Sequence, residues 1–159
     1  MISKEMESRI DKFIEENRQN IVNDIAKLVN KSVSTHSDDP NSPFGEGCHK
    51  VLDKALEMCE AMGFKTRNYD YYAGSAVFGS GDKEIAILGH LDVVPEGEGW
   101  SHDPYDMIEK DGYIYGRGVA DDKGPTVVGL YALKCMKELG VQPNYTFRLV
   151  MGCSEETGM

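Results

Sequence analysis

Basic residues are scarce in this chain. Lys and Arg number 17 against 27 Asp and Glu, a formal net charge of −10, and the few that exist are scattered. No stripe is present that could neutralise a run of phosphates, so nucleic acid is not expected as a partner. Long apolar runs are lacking too. None approaches the roughly 18 residues that span a bilayer, and the opening "MISKEMESRIDKFIEENRQN" has neither the apolar segment nor the cleavage site of a secretory leader. A cytoplasmic protein that does not meet the membrane is expected. Cysteine is sparse, with Cys48, Cys59, Cys135 and Cys153 never in C-x-x-C spacing and three of them in apolar surroundings. Free buried thiols are therefore expected in place of disulfides or a thiolate metal site. Repeats and low-complexity tracts are absent. At 159 residues the chain can bury the core of one domain without a structural staple.

What is present is a succession of helical and extended patterns. Met6, Ile10 and Phe13, then Ile21, Ile25 and Leu28, recur at helical spacing and predict one long or two consecutive amphipathic helices over most of residues 3 to 30. "KSVSTHSDDPNSPFGEG", residues 31 to 47, has the composition of a loop. Val51, Leu52, Ala55, Leu56, Cys59 and Met62 form a second helical face, stopped by Gly63. The period then shortens. "FKTRNYD", "SAVFG" and "EIAILGH" are β-prone, the last two joined by "SGDK" with the composition of a hairpin turn. "YDMIEKDGYIYG" predicts a hairpin around Asp111-Gly112. A helix follows, with Pro125 near its start and Gly140 just past its end. "YTFRLVMG", Tyr145 to Gly152, reads as an interior strand covered on both faces. This order predicts an α/β fold, a three-layer sandwich with a mixed sheet between helices.

Three stretches carry candidate chemistry. In "AILGHLDVVPEGEGW", His90 and Asp92 follow a strand, and residues i and i+2 of an extended chain point the same way. Both could enter one cleft at the carboxyl edge of the sheet, although a hydrogen-bonded structural histidine beside a chance acid would read the same. In "YGRGVADDKGP", a dinucleotide loop fails where its last glycine should stand, because Asp121 would repel a pyrophosphate. One of Asp121 and Asp122 could cap the following helix, while adjacent acids at a helix mouth can also hold cations. In "CSEETG", Glu155 and Glu156 could sit in the first turn of a helix, favoured by its dipole. All three constellations lie just past a strand or just before a helix, so one rim could gather them. One imidazole with several carboxylates suits zinc or manganese.

"GHLDVVPEGEGW", "DGYIYGRGVADDKGP" and "CSEETG", in this order, resemble the three N-terminal motifs of the co-catalytic dizinc aminoacylase and carboxypeptidase family of metallopeptidases. "PFGEG" and "NYDYYAGSAVFGSGD" bring the likeness closest to its dipeptidase branch, the Xaa-His (β-Ala-Xaa) dipeptidases. The resemblance implies a dipeptide substrate and two Zn2+ ions, with Mn2+ or Co2+ as substitutes. It implies His90, Asp121 and Glu156 as metal ligands, Asp121 bridging both ions, Asp92 orienting His90, Glu155 as general base, and a cis peptide between Asp121 and Asp122. It further implies a later acidic ligand, a later ligand histidine and a lid domain. Residues 1–159 are accordingly expected to be the N-terminal part of the catalytic domain, inactive alone and prone to self-association through an open edge at the last strand. His36, His49 and His102 match no ligand position. Deacylases of the acetylornithine or succinyl-diaminopimelate type in the same family, and a non-catalytic remnant, are the alternative readings.

Overall fold

A computed structural model describes residues 2–158. Helix α1 (Lys4–Leu28) is one unbroken helix, opened by Ser3, whose hydroxyl accepts the Met6 N–H. The predicted stripe is its inner face: Phe13, Ile25 and Leu28 are buried, and Ile10 and Ile21 pack against them. Helix α2 (Glu46–Ala61) buries Val51, Leu52, Ala55, Leu56 and Cys59 and ends before Gly63. The remaining elements are β1 (Lys65–Tyr69), β2 (Ala73–Phe78), β3 (Lys83–His90), β4 (Ile108–Lys110), β5 (Tyr113–Tyr115), α3 (Gly124–Glu138) and β6 (Tyr145–Gly152). Strands β4 and β5 form the hairpin expected at Asp111-Gly112, both residues having positive φ, as its tightest turn requires.

The main sheet has the order β1-β2-β6-β3, with β6 antiparallel to β2 and parallel to β3. This makes it a mixed sheet in an α/β chain, as expected. It also corrects one reading, because β2 and β3 do not form a hairpin. Strand β6 lies between them, and Gly79 and Gly81 of the connecting segment serve close approach to it. A Cβ on Gly79 would lie 2.4 Å from the Tyr145 carbonyl oxygen, and one on Gly81 would lie 2.0 Å from that of Asn144. The open edge expected at β6 is not there: β6 is interior, and the edges of the sheet are β1 and β3.

Helices α2 and α3 cover the same face of the sheet. Gly74, Met151 and Gly89 are register partners across it, and a Cβ on Gly74 would meet Leu52 and Leu56 of α2, while one on Gly89 would meet Thr126 of α3. Helix α1 packs across both helices. Residues 2–158 thus place α2 and α3 against one face of the mixed sheet, with α1 packed over them. The other face of the sheet bears Leu88, 77% exposed, and the Arg148 guanidinium, which donates to Glu84, Tyr69 and Ser75. Two expectations change with this. The run Ile85–Leu88 is not fully buried, and β6 is interior but covered on one face only. All four cysteines are free and buried. Burial pushes the Cys48 and Cys59 thiols up to about 12, which leaves them unreactive.

Candidate metal centre

Because β3 and β6 are parallel, both deliver their carboxyl ends to one rim. His90 is in register with Gly152, and the Leu91 N–H donates to the Gly152 carbonyl at 2.8 Å. Past these ends the chain breaks from the sheet in opposite ways. After β3, Leu91 and Asp92 turn inward and are fully buried. After β6, Glu155–Thr157 form a single tight helical turn. The Asp92 carboxylate joins the two, accepting the N–H of Glu155 at 3.1 Å and of Glu156 at 3.0 Å. It holds this turn from across the cleft as a capping carboxylate would.

The third contributor is the turn Val119–Lys123, which leads directly into α3. Asp121 (φ −140°, ψ 98°) and Asp122 depart from helical geometry there, and the peptide between them is cis. The two acids point to different tasks. Asp121 is exposed and places Oδ1 3.0 Å from His90 Nε2. Asp122 does not cap α3 through a backbone N–H; its Oδ2 accepts the His90 N–H at 3.2 Å and the Thr126 hydroxyl at 3.3 Å. Gly89 makes this closeness feasible, since a Cβ there would lie 2.8 Å from Asp122 Oδ2 and 2.3 Å from Thr126 Oγ1.

His90, Asp121 and Glu156 each offer a ligand atom, and all three atoms lie within 4.8 Å of one another. Among the described residues this is the one such group of three. Two donors about 2 Å from a zinc ion at tetrahedral angles are roughly 3.3 Å apart, so a small contraction would close the group on an ion. The donor chemistry fits as well. His90 Nδ1 lies 3.1 Å from the Asp92 carbonyl oxygen and 3.4 Å from its carboxylate. With a proton held on Nδ1, the lone pair of Nε2 faces Asp121 and Glu156. Glu155 is beside the group, with Oε2 3.9 Å from His90 Nε2. Burial is the largest single influence on His90 and favours the neutral imidazole, but the Asp121 hydrogen bond, the Asp92 carboxylate and carbonyl, and Asp122 together raise its pKa. That excess of negative potential around an imidazole also attracts a cation.

The other histidines are elsewhere. His49 stacks on Tyr71 at 4.2 Å, His102 meets Trp100 edge-on, and His36 is exposed near Asp38. A groove of about 600 Å³ between the 37–45 loop and α2 contains none of the predicted site residues. Two residues at the centre were not singled out from the sequence as carrying a task, Asp122 beyond a helix cap and Lys123. Lys123 is completely buried, and burial brings its pKa down to about 7.

Residues 86–159 match the family described as peptidase family M20/M25/M40. Over 157 residues, 96% of this chain, the sequence is 39% identical to a β-Ala-Xaa dipeptidase of Lactobacillus delbrueckii subsp. lactis. This chain is similar to M20/M25/M40 peptidases. It spans about a third of the length of the curated relatives it matches, 33% of the Lactobacillus protein. Among solved structures, human carnosine dipeptidase 1 matches with a TM-score of 0.78 and 23% identity over 95% of this chain and 35% of that one. The di-peptidase Dug1p from Saccharomyces cerevisiae matches with a TM-score of 0.78 and 20% identity over 95% of this chain and 35% of its own. At these identities the two structures establish the fold alone. No helix in the described residues is long and apolar enough to cross a membrane.

Proposed function

We propose that this chain is the N-terminal part of the catalytic domain of a zinc-dependent dipeptidase. In this reading His90, Asp121 and Glu156 are metal ligands, Asp92 orients His90, and Glu155 is the proton carrier. The convergence of the three ligand atoms within 4.8 Å is the observation that supports it most. Bound zinc would supply Lewis acidity, polarising the peptide carbonyl and making water acidic near neutral pH. Glu155, next to the donors yet outside their group, takes a proton from the attacking water and delivers it to the departing amine. Asp92 keeps Nδ1 of His90 protonated through its backbone carbonyl and fixes the Glu155–Glu156 turn through its carboxylate, so a single buried residue orients a ligand and the base together.

Donor counting sets what this chain does alone. Catalytic zinc ordinarily has three protein donors, so two ions sharing Asp121 need about five, and the trio supplies three. The remaining two are proposed to come from outside residues 1–159. Zinc binding by these residues alone is then weak and dipeptide hydrolysis undetectable. Calorimetric zinc titration beside a dipeptide and N-acyl amino acid assay tests this, on residues 1–159 and on a chain as long as the relatives. Two tightly held ions and turnover in the monomeric short chain would overturn it. In the long chain Glu155→Gln should abolish turnover while zinc content stays, and Asp121→Ala should lose zinc. Equal zinc and equal activity in both variants would refute the division of roles, and preference for N-acyl substrates would move the reading to the deacylases.

A further inference from the structure

The largest fully buried side chain among the described residues is a charged one, Lys123, and the proposed chemistry does not use it. Its ammonium meets three neutral acceptors, the Asn30 carbonyl at 3.2 Å, Asn30 Oδ1 at 2.9 Å and Ser32 Oγ at 2.9 Å. Three acceptors match the three N–H donors of an ammonium. No carboxylate is within hydrogen-bonding reach, so the desolvation of this group is offset by directional bonds to a single short segment.

That segment reaches the other side of the metal centre. Ser32 Oγ, while accepting from Lys123, donates to the Leu91 carbonyl at 2.8 Å. The Ser32 carbonyl accepts the Val93 N–H at 3.1 Å and the Cys48 thiol at 3.3 Å. Leu91 and Val93 flank Asp92. Asn30 in turn donates from Nδ2 to the Gly47 carbonyl at 3.0 Å, which ties the segment to the start of α2. At its other end Lys123 is two residues from Asp121, and its N–H donates to the Gly118 carbonyl at 2.9 Å.

We propose that Lys123 and Ser32 are positioning residues whose hydrogen-bonded bridge sets the separation between the Asp121 turn and the strand exit bearing His90 and Asp92. This rests on reading those residues as a metal centre. Neither Lys123 nor Ser32 touches a donor atom, so the bridge acts through backbone placement. An apolar side chain of similar length could fill the same volume, but it would specify no distance. Supporting groups of this kind alter metal affinity by roughly 10- to 100-fold when removed.

The test compares Lys123→Met and the milder Ser32→Ala with Leu133→Ala, a fully buried core position of α3, all in a chain as long as the relatives. Three quantities are measured: urea stability, zinc affinity by calorimetry, and native-state exchange of the Glu155 and Glu156 amides that Asp92 holds. All three variants should lose stability. The two bridge variants alone should weaken zinc tenfold or more and speed exchange of both amides by local opening. Zinc affinity and local exchange that follow global stability equally in all three variants would overturn the bridge. Equal zinc binding by the unaltered chain and Asp121→Ala would instead refute the metal centre, and the exchange measurement, made without metal, would still decide the bridge.

Discussion

Asp92 concentrates several demands on one carboxylate: it is fully buried, accepts two backbone N–H groups and lies beside the His90 ring. Asp92→Asn keeps the shape but replaces one acceptor oxygen with a donor. Hydrogen bonds to a charged group contribute about 1.5 to 3 kcal/mol each, so losing one should cost about 2 kcal/mol in urea unfolding. Zinc affinity should fall with it, and an unchanged unfolding midpoint would show that the carboxylate is not what holds the turn. Glu96 offers a cleaner electrostatic case. Its own backbone N–H, the Lys31 ammonium at 3.0 Å and the Tyr105 hydroxyl at 2.8 Å hold its carboxyl down at about 2. An unfolded glutamate titrates near 4.3, so the folded state binds its proton less readily. The stability it contributes is present above that unfolded value and is lost as pH falls through about 2. Glu96→Gln should therefore unfold at lower urea than the parent chain at pH 6, with the gap closing as pH approaches 2. A gap independent of pH would mean that the Glu96 charge contributes nothing.

At the scale of elements, α3 carries the Asp121 turn at its head and rests on the sheet through a glycine. A Cβ on Gly129 would lie 3.2 Å from Ile87 of β3 and 3.3 Å from Leu149 of β6. Gly129→Ala should change stability by less than about 1 kcal/mol, because better helix propensity offsets the tight contact. Gly129→Val should cost about 1 to 3 kcal/mol by overpacking and weaken zinc binding by lifting the head of α3. A valine variant as stable as the parent would refute this packing. The local elements were legible in the sequence because their signals are local. The stripe from Met6 to Leu28, Gly63 after α2 and Asp111-Gly112 between β4 and β5 each state their geometry within a few residues. "SGDK" was misread because composition cannot report that β6, more than sixty residues later, enters between β2 and β3. That His90, Asp121 and Glu156 would gather at one rim was legible through strand and helix ends. The Lys123 bridge was not, since its partners are 91 and 93 residues away and nothing near "DDKGP" marks the lysine as buried.

For the whole molecule, the layer arrangement leaves apolar surface and hydrogen-bonding groups on the same side of β3. It is an edge strand of the sheet, with Ile85 42% and Leu88 77% exposed. Apart from the His90 N–H, which Asp122 takes, its outer N–H and C=O groups face no other strand among the described residues and can pair with another chain. Leu88 stands on the uncovered face beside its register partner Val150, whereas the Arg148–Glu84 pair protects that face further back. Residues 1–159 are therefore expected to self-associate through β3. A net charge of −10 opposes the approach of two copies, and the repulsion is screened over about 10 Å at 0.1 M salt. Association driven by apolar surface should thus strengthen as salt rises, whereas association driven by ion pairs would weaken. Leu88→Lys adds a charge to both the face and the edge. At so exposed a position it should alter stability by less than about 0.5 kcal/mol while shifting the chain toward monomer. Sedimentation velocity over a range of concentration and salt, with chelator present to remove bridging metal, measures both effects. A parent chain that stays monomeric at high concentration and high salt would refute the β3 interface, and a Leu88→Lys variant that associates as strongly as the parent would place the interface elsewhere.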